Sequence, residues 1–278
     1  MFFKLLKYDI VDDLKKKLVA FSVTLASLAL CLIPFLTSGE QLNSTAAYLI
    51  SLGSMASYVG MILMLVTVLT RFHRTLFTRE IYLTFTRPAS HSLIILSKLL
   101  AGVILLFIPV FASTVASSLM IDAMNAIPEL SKELSQMDMA GSLVSSDLKA
   151  LVLESPALFA PLVIFDQLFT VALTVSLAAL AITFASLIPK TSKFLAGIGI
   201  YFGSSIVISL ISEISSSALA MSLGAKLNDG GLLLPESMFS TYYLGYFIIS
   251  IVVSLAAVIA SFFIIRLIIN KKLPSHIV

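Results

Sequence analysis

From residue 18 to residue 39 the chain runs 22 residues without a charged side chain, and long, nearly charge-free stretches recur five more times. A helix needs about 20 predominantly apolar residues to cross the hydrocarbon core of a bilayer. In that medium every backbone N–H and C=O must be satisfied within the protein, which leaves helices and closed barrels. The runs are too long for single strands and do not alternate with period two, so they are read as helices. Six spans follow, at roughly 18–36, 46–70, 99–121, 162–188, 194–212 and 242–265. Composition agrees: 59% of residues are hydrophobic and 12% charged, against about 45–50% and about 25% in soluble domains. The first run exceeds the ~7–15 residues of a signal-peptide core, so a retained span is expected there.

The basic residues set an orientation. Fifteen of the 18 lysines and arginines fall on one side of the six-span frame, and ten of the 15 acids fall on the other. Lysine and arginine favour the cytoplasmic side, so both termini are expected in the cytoplasm of a multi-pass membrane protein. The expected fold class is an all-α integral membrane protein forming one transmembrane domain over 1–278. Within residues 1–17, Phe3, Leu6, Ile10 and Leu14 recur at helical spacing opposite Lys4, Lys7 and the 15–17 lysines. This pattern predicts an amphipathic helix lying in the inner interface, with a frayed basic tail as the alternative.

On the outer side, 122–156 is expected to form two short amphipathic helices broken near Gly141. The segment 213–236 combines a small-residue run, "SSSALAMSLGAKL", with the turn signal "NDGG". A re-entrant or surface helix is expected for the run. "SKLLAGV" at 97–103 and "SKFLAGI" at 192–198 resemble each other and are placed where spans three and five begin. Small residues Gly53, Ser57 and Gly60 in span two, and Gly199 and Gly203 in span five, permit close helix approach. They serve packing within one subunit or, as the family resemblance drawn below implies, a pathway between two. Asp166 is an acid within or close to a span, and ionisable groups there are candidates for function. It is a candidate for the substrate path, or for an interfacial cap.

The link 71–98 is richer in chemistry than the rest. It mixes Ile81, Tyr82, Leu83 and Phe85 with charges, and Pro88 ends any helix begun near Thr78. One or two short helices on the cytoplasmic face are expected, either docking another protein or lying in the lipid interface. No G-x-x-x-x-G-K-[ST] loop, HExxH or GxSxG is present, and His73, His91 and His276 lack metal-ligand spacing. The single cysteine, Cys31, excludes an intrachain disulfide. No basic patch interleaved with aromatics points to nucleic acid.

The run "EIYLTFTRPASHSLIILSKLLAG" resembles the signature segment of the ATP-binding-cassette type-2 permease family. Glu80, Tyr82, Leu83, Thr84, Thr86, Pro88, Ser90, Ser97 and Lys98 fit its pattern. Ile81 stands where glycine is common, and Arg87 where an apolar residue is more usual. The resemblance implies a coupling helix between spans two and three, with Arg79, Glu80, Tyr82, Leu83, Thr84, Phe85, Thr86, Arg87 and Pro88 docking an ATPase subunit. It further implies extracellular helical elaborations after spans three and five, and export of an amphipathic substrate such as an antimicrobial or other peptide. The chain itself would be no enzyme and hold no cofactor, with ATP and magnesium on the partner ATPase. Its other partners would be a second copy or homologous permease and membrane lipid. A non-transporting membrane scaffold whose link docks another protein is the alternative.

Overall fold

The computed structural model describes residues 3–4, 6–7, 9–11, 18–38, 44–77, 91–125, 155–188, 193–224, 226–228, 231–233 and 238–272. Six long helices account for nearly all of them: α1 Leu18–Ser38, α2 Ser44–Phe77, α3 His91–Asn125, α4 Pro156–Ala185, α5 Lys193–Ser222 and α6 Phe239–Lys272. All six are long and apolar enough to cross a membrane, which makes the chain a multi-pass membrane protein. Two short strands, β1 Lys226–Asn228 and β2 Gly231–Leu233, pair antiparallel.

The helices outrun the spans expected from hydropathy. The 34 residues of α2 reach about 51 Å at 1.5 Å per residue, beyond the ~30 Å of the hydrocarbon core. Helix α3 begins at His91, so "SKLLAGV" lies inside it and does not open it. Hydropathy places the start after Lys98 because a charge interrupts the apolar run, whereas the fold partners that charge. Helix α5 continues to Ser222, so the small-residue run prolongs this helix and forms no separate re-entrant element before that point. Serine, alanine, leucine and methionine break no helix. The chain leaves the helix at Gly224, whose φ of 84° suits the left-handed position that follows a helix end. Helix α4 starts at Pro156, with Pro161 inside it. Proline lacks only an N–H that the first turn would leave unpaired.

Lipid tails are as apolar as leucine, so close packing and interhelical hydrogen bonds must hold spans together. The buried seams are accordingly rich in small hydroxyl residues, including Ser27, Ser57, Ser97, Ser176, Thr183 and Ser261. Their protons return to carbonyls a turn earlier, as Thr183 does to Ala179 at 2.7 Å. Helix α3 is central, touching α1, α2, α4 and α6. One apolar cluster joins Met64 and Phe72 of α2, Ile94 and Leu106 of α3, Val171 of α4 and Ile265 of α6. Helix α5 is the outlier: no residue from 195 to 215 is buried. It touches α4 and α6, and near its far end Gly245 of α6 lies so close that an added Cβ would meet Leu219 Cδ2 at 2.5 Å.

Candidate functional site

The most polar buried arrangement among the described residues lies at the basic end of the bundle, where α2 finishes and α3 begins. The N-terminal residues 3–4, 6–7 and 9–11 are helical and bury Leu6 and Asp9, three positions apart on one face. Lys4 and Lys7 face outward. Asp9 is 7% exposed. An ionised carboxylate at that depth is costly unless it is paired and hydrogen-bonded.

Its partners come from two other helices. Arg71 of α2 donates from Nη1 to the Asp9 backbone carbonyl at 2.8 Å and from Nη2 to Oδ1 at 3.3 Å. Lys98 Nζ of α3 stands 3.6 Å from the same Oδ1. The Ser97 hydroxyl is 3.2 Å from Oδ2 and 2.9 Å from the Ile94 carbonyl. A hydroxyl has one proton, so Ser97 serves the two acceptors alternately. Two cations therefore converge on one carboxylate, over an apolar floor of Val68, Phe72 and Val175. Beneath Lys98, a Cβ added at Gly102 would lie 3.0 Å from Val68 Cγ1 and 3.2 Å from Val175 Cγ1. The missing side chain lets α3 approach α2 and α4 closely.

Residues Arg79, Glu80, Tyr82, Leu83, Thr84, Phe85, Thr86, Arg87 and Pro88 lie outside the described residues. The Asp9 cluster flanks them on both sides in sequence, through Arg71 and Lys98. The expected helices within 126–154 also lie outside the described residues.

Gly53, Ser57 and Gly60 are brought together on the seam between α1 and α2. A Cβ at Gly53 would stand 2.6 Å from Cys31 Sγ, and one at Gly60 2.9 Å from Thr24 Oγ1. Between them Ser57 donates to Ser27 Oγ at 2.9 Å, and Ser27 donates to the Thr24 carbonyl at 2.8 Å. Gly199 and Gly203 are different: an added Cβ would meet nothing within 4 Å. The same kind of spacing marks a packed seam in α2 and an open face in α5.

Asp166 accepts a hydrogen bond from Ser250 of α6 at 2.6 Å and is half-buried. Ten residues after the start of α4, it lies about 15 Å along the helix at 1.5 Å per residue. Ser250→Ala is expected to cost about 0.5–1 kcal/mol, as usual for a hydrogen bond between spans, read as a lowered unfolding midpoint of the purified chain. An unchanged midpoint would show that this bond carries no stability.

Sequence reasoning missed two acids. Glu213 was placed beyond span five, but α5 carries it on the helix, within electrostatic reach of Tyr242 and Tyr246. Asp9 lies three residues after Leu6, a one-face spacing, but periodicity does not single it out, because Asp13 and Lys17 fall nearer the face shared by Leu6 and Ile10. Among the described residues no group of histidines, cysteines or acids could hold a metal ion.

Compared with protein-family models, curated proteins and solved structures, the chain matches none.

Proposed function

We propose that the chain is the membrane-spanning permease subunit of an ATP-binding-cassette exporter. It forms the path for an amphipathic substrate, a peptide being the favoured class, and works with a separate ATPase and a second permease copy or homologue. The observation that carries this reading is the 79–98 segment, whose residues resemble a coupling helix and which joins two spans of a six-helix membrane bundle. Both flanking helices bear cations held on a buried carboxylate, as suits an element that must pass a push into rigid spans. In this reading the basic end faces the cytoplasm of a bacterial cell, because lysine and arginine favour that side. ATP and magnesium belong to the partner, since this chain has no phosphate-cradling loop.

The test is retention of an ABC-class ATPase encoded beside this chain, co-expressed and co-purified with it. Glu80→Ala and Phe85→Ala are expected to lower retention about tenfold, the effect of losing about 1.4 kcal/mol of binding. Membrane insertion should be unaltered. Equal retention by both variants and the parent would exclude the docking role and favour a membrane scaffold.

A further inference from the structure

We propose that the hollow between α1 and α3 is a lipid site, holding the methyl-terminal part of one phospholipid acyl chain. Phe21 and Leu25, one turn apart on α1, form one wall. Phe107 and Phe111 of α3, their rings stacked at 5.9 Å, form the other. The floor is Thr24, Pro109 and Ala112, all buried. These three side chains are short, so the two helices leave a space that neither fills. It amounts to about 170 Å³, close to the ~150 Å³ of an apolar cavity that takes up benzene in another protein. The mouth is open: Leu25, Ile108 and Phe111 on its rim are 58%, 44% and 40% exposed.

The chemistry of the hollow selects its occupant. A buried water needs several polar partners, and the lining offers one polar side chain, Thr24, whose proton goes to the Ala20 carbonyl at 2.8 Å. Depth favours an acyl chain over a headgroup. Arg71 and Lys98 converge on Asp9, and charges of this kind belong near the edge of the hydrocarbon. Phe107 and Phe111 follow Lys98 by nine and 13 residues, about 14–20 Å along α3 at 1.5 Å per residue. In a hydrocarbon core about 30 Å thick that is the middle, where acyl chains end. A helix is about 10–12 Å across with its side chains, so a second copy of this chain would cover the mouth without filling the hollow. An empty hollow forfeits dispersion contacts along its lining. A lipid chain restores them and only exchanges one apolar medium for another. Concavity separates this site from the surrounding lipid: here the chain is touched from two walls and a floor, whereas an exposed ridge such as Val59 of α2 touches lipid on one side. The inference goes beyond the transport reading and stands without it.

The experiment exploits the absence of tryptophan from the chain, which makes an introduced indole the only one. Phe111→Trp places it on the groove wall. Val59→Trp places it at matching depth, 12 residues from Arg71 along α2, on an exposed face outside the groove. Each full-length variant is purified in detergent, freed of lipid, and titrated with a few equivalents of phosphatidylcholine bearing a nitroxide quencher near the methyl end of one chain. Phe111→Trp is expected to lose most of its emission, saturating at one lipid per chain, and to recover it when unlabelled phosphatidylcholine is added. Val59→Trp should keep its emission. Equal quenching of the two, quenching of Val59→Trp alone, or quenching of neither overturns the proposal, as does quenching that unlabelled lipid fails to relieve. Adding Ala112→Leu to Phe111→Trp raises the floor and should weaken the quenching several-fold; a folded double variant quenched like the single one also overturns it. The comparison of the two tryptophan positions decides the matter if the double variant does not fold.

Discussion

Asp9→Ala is expected to destabilise the chain by about 3–5 kcal/mol, the usual cost of removing one member of a buried ion cluster. The cost is the loss of the carboxylate's contacts with Arg71, Lys98 and Ser97 at a poorly hydrated site. The Asp9, Arg71 and Lys98 side chains are 10%, 22% and 12% exposed, so the two cations cannot recover full hydration in place. Lys98→Met should cost clearly less, because the carboxylate then keeps Arg71 and the Ser97 hydroxyl. The Asp9→Ala/Lys98→Met double variant should be destabilised by less than the sum of the singles, since groups within one network are not additive. Equilibrium unfolding of the purified chain measures all three. Additive singles would show that Asp9 and Lys98 are adjacent without being coupled.

The spans were legible because lipid imposes one requirement that survives any tertiary arrangement, an apolar run long enough to cross. Helix ends were less legible, because a fold can place charges and serines on a helix that a hydropathy scan stops at. Lys98 inside α3 and Glu213 inside α5 are two instances, and Arg71 inside α2 and Arg266 inside α6 are others. The site was least legible. The link 79–88 could be singled out by its mixed chemistry, but its anchor at Asp9 depends on which face of an N-terminal segment meets two helices far away in sequence. Asp9 to Arg71 spans 62 positions, and Ser97 to Asp9 spans 88. A periodicity within one helix shows which residues share a face and not what that face meets. The glycines make the point again: Gly53 and Gly203 both sit in small-residue patterns, yet one is pressed against a neighbour and the other is open.

Gly53→Ala should lower stability by about 1–3 kcal/mol, the range for overpacking a well-packed interior, whereas Gly203→Ala should be neutral or stabilising. Alanine is the better helix former by about 1 kcal/mol, so propensity alone favours both substitutions and only the surroundings separate them. At Gly53 the new methyl would meet Cys31 Sγ at 2.6 Å, Ser27 O at 3.0 Å and Cys31 N at 3.1 Å. The sulfur can rotate away; the backbone atoms cannot retreat unless α1 moves. Gly53→Val forces that movement and should exceed the alanine cost, because it drives α1 and α2 apart where Ser57 donates to Ser27 at 2.9 Å. Cys31→Ala in combination with Gly53→Ala should recover part of the loss by removing the nearest atom, and the remainder measures the resistance of the backbone. The check is the unfolding free energy of the parent and the four variants in one detergent. If Gly53→Ala and Gly203→Ala shift it equally, the close contact of α1 and α2 at Gly53 does not stabilise the bundle.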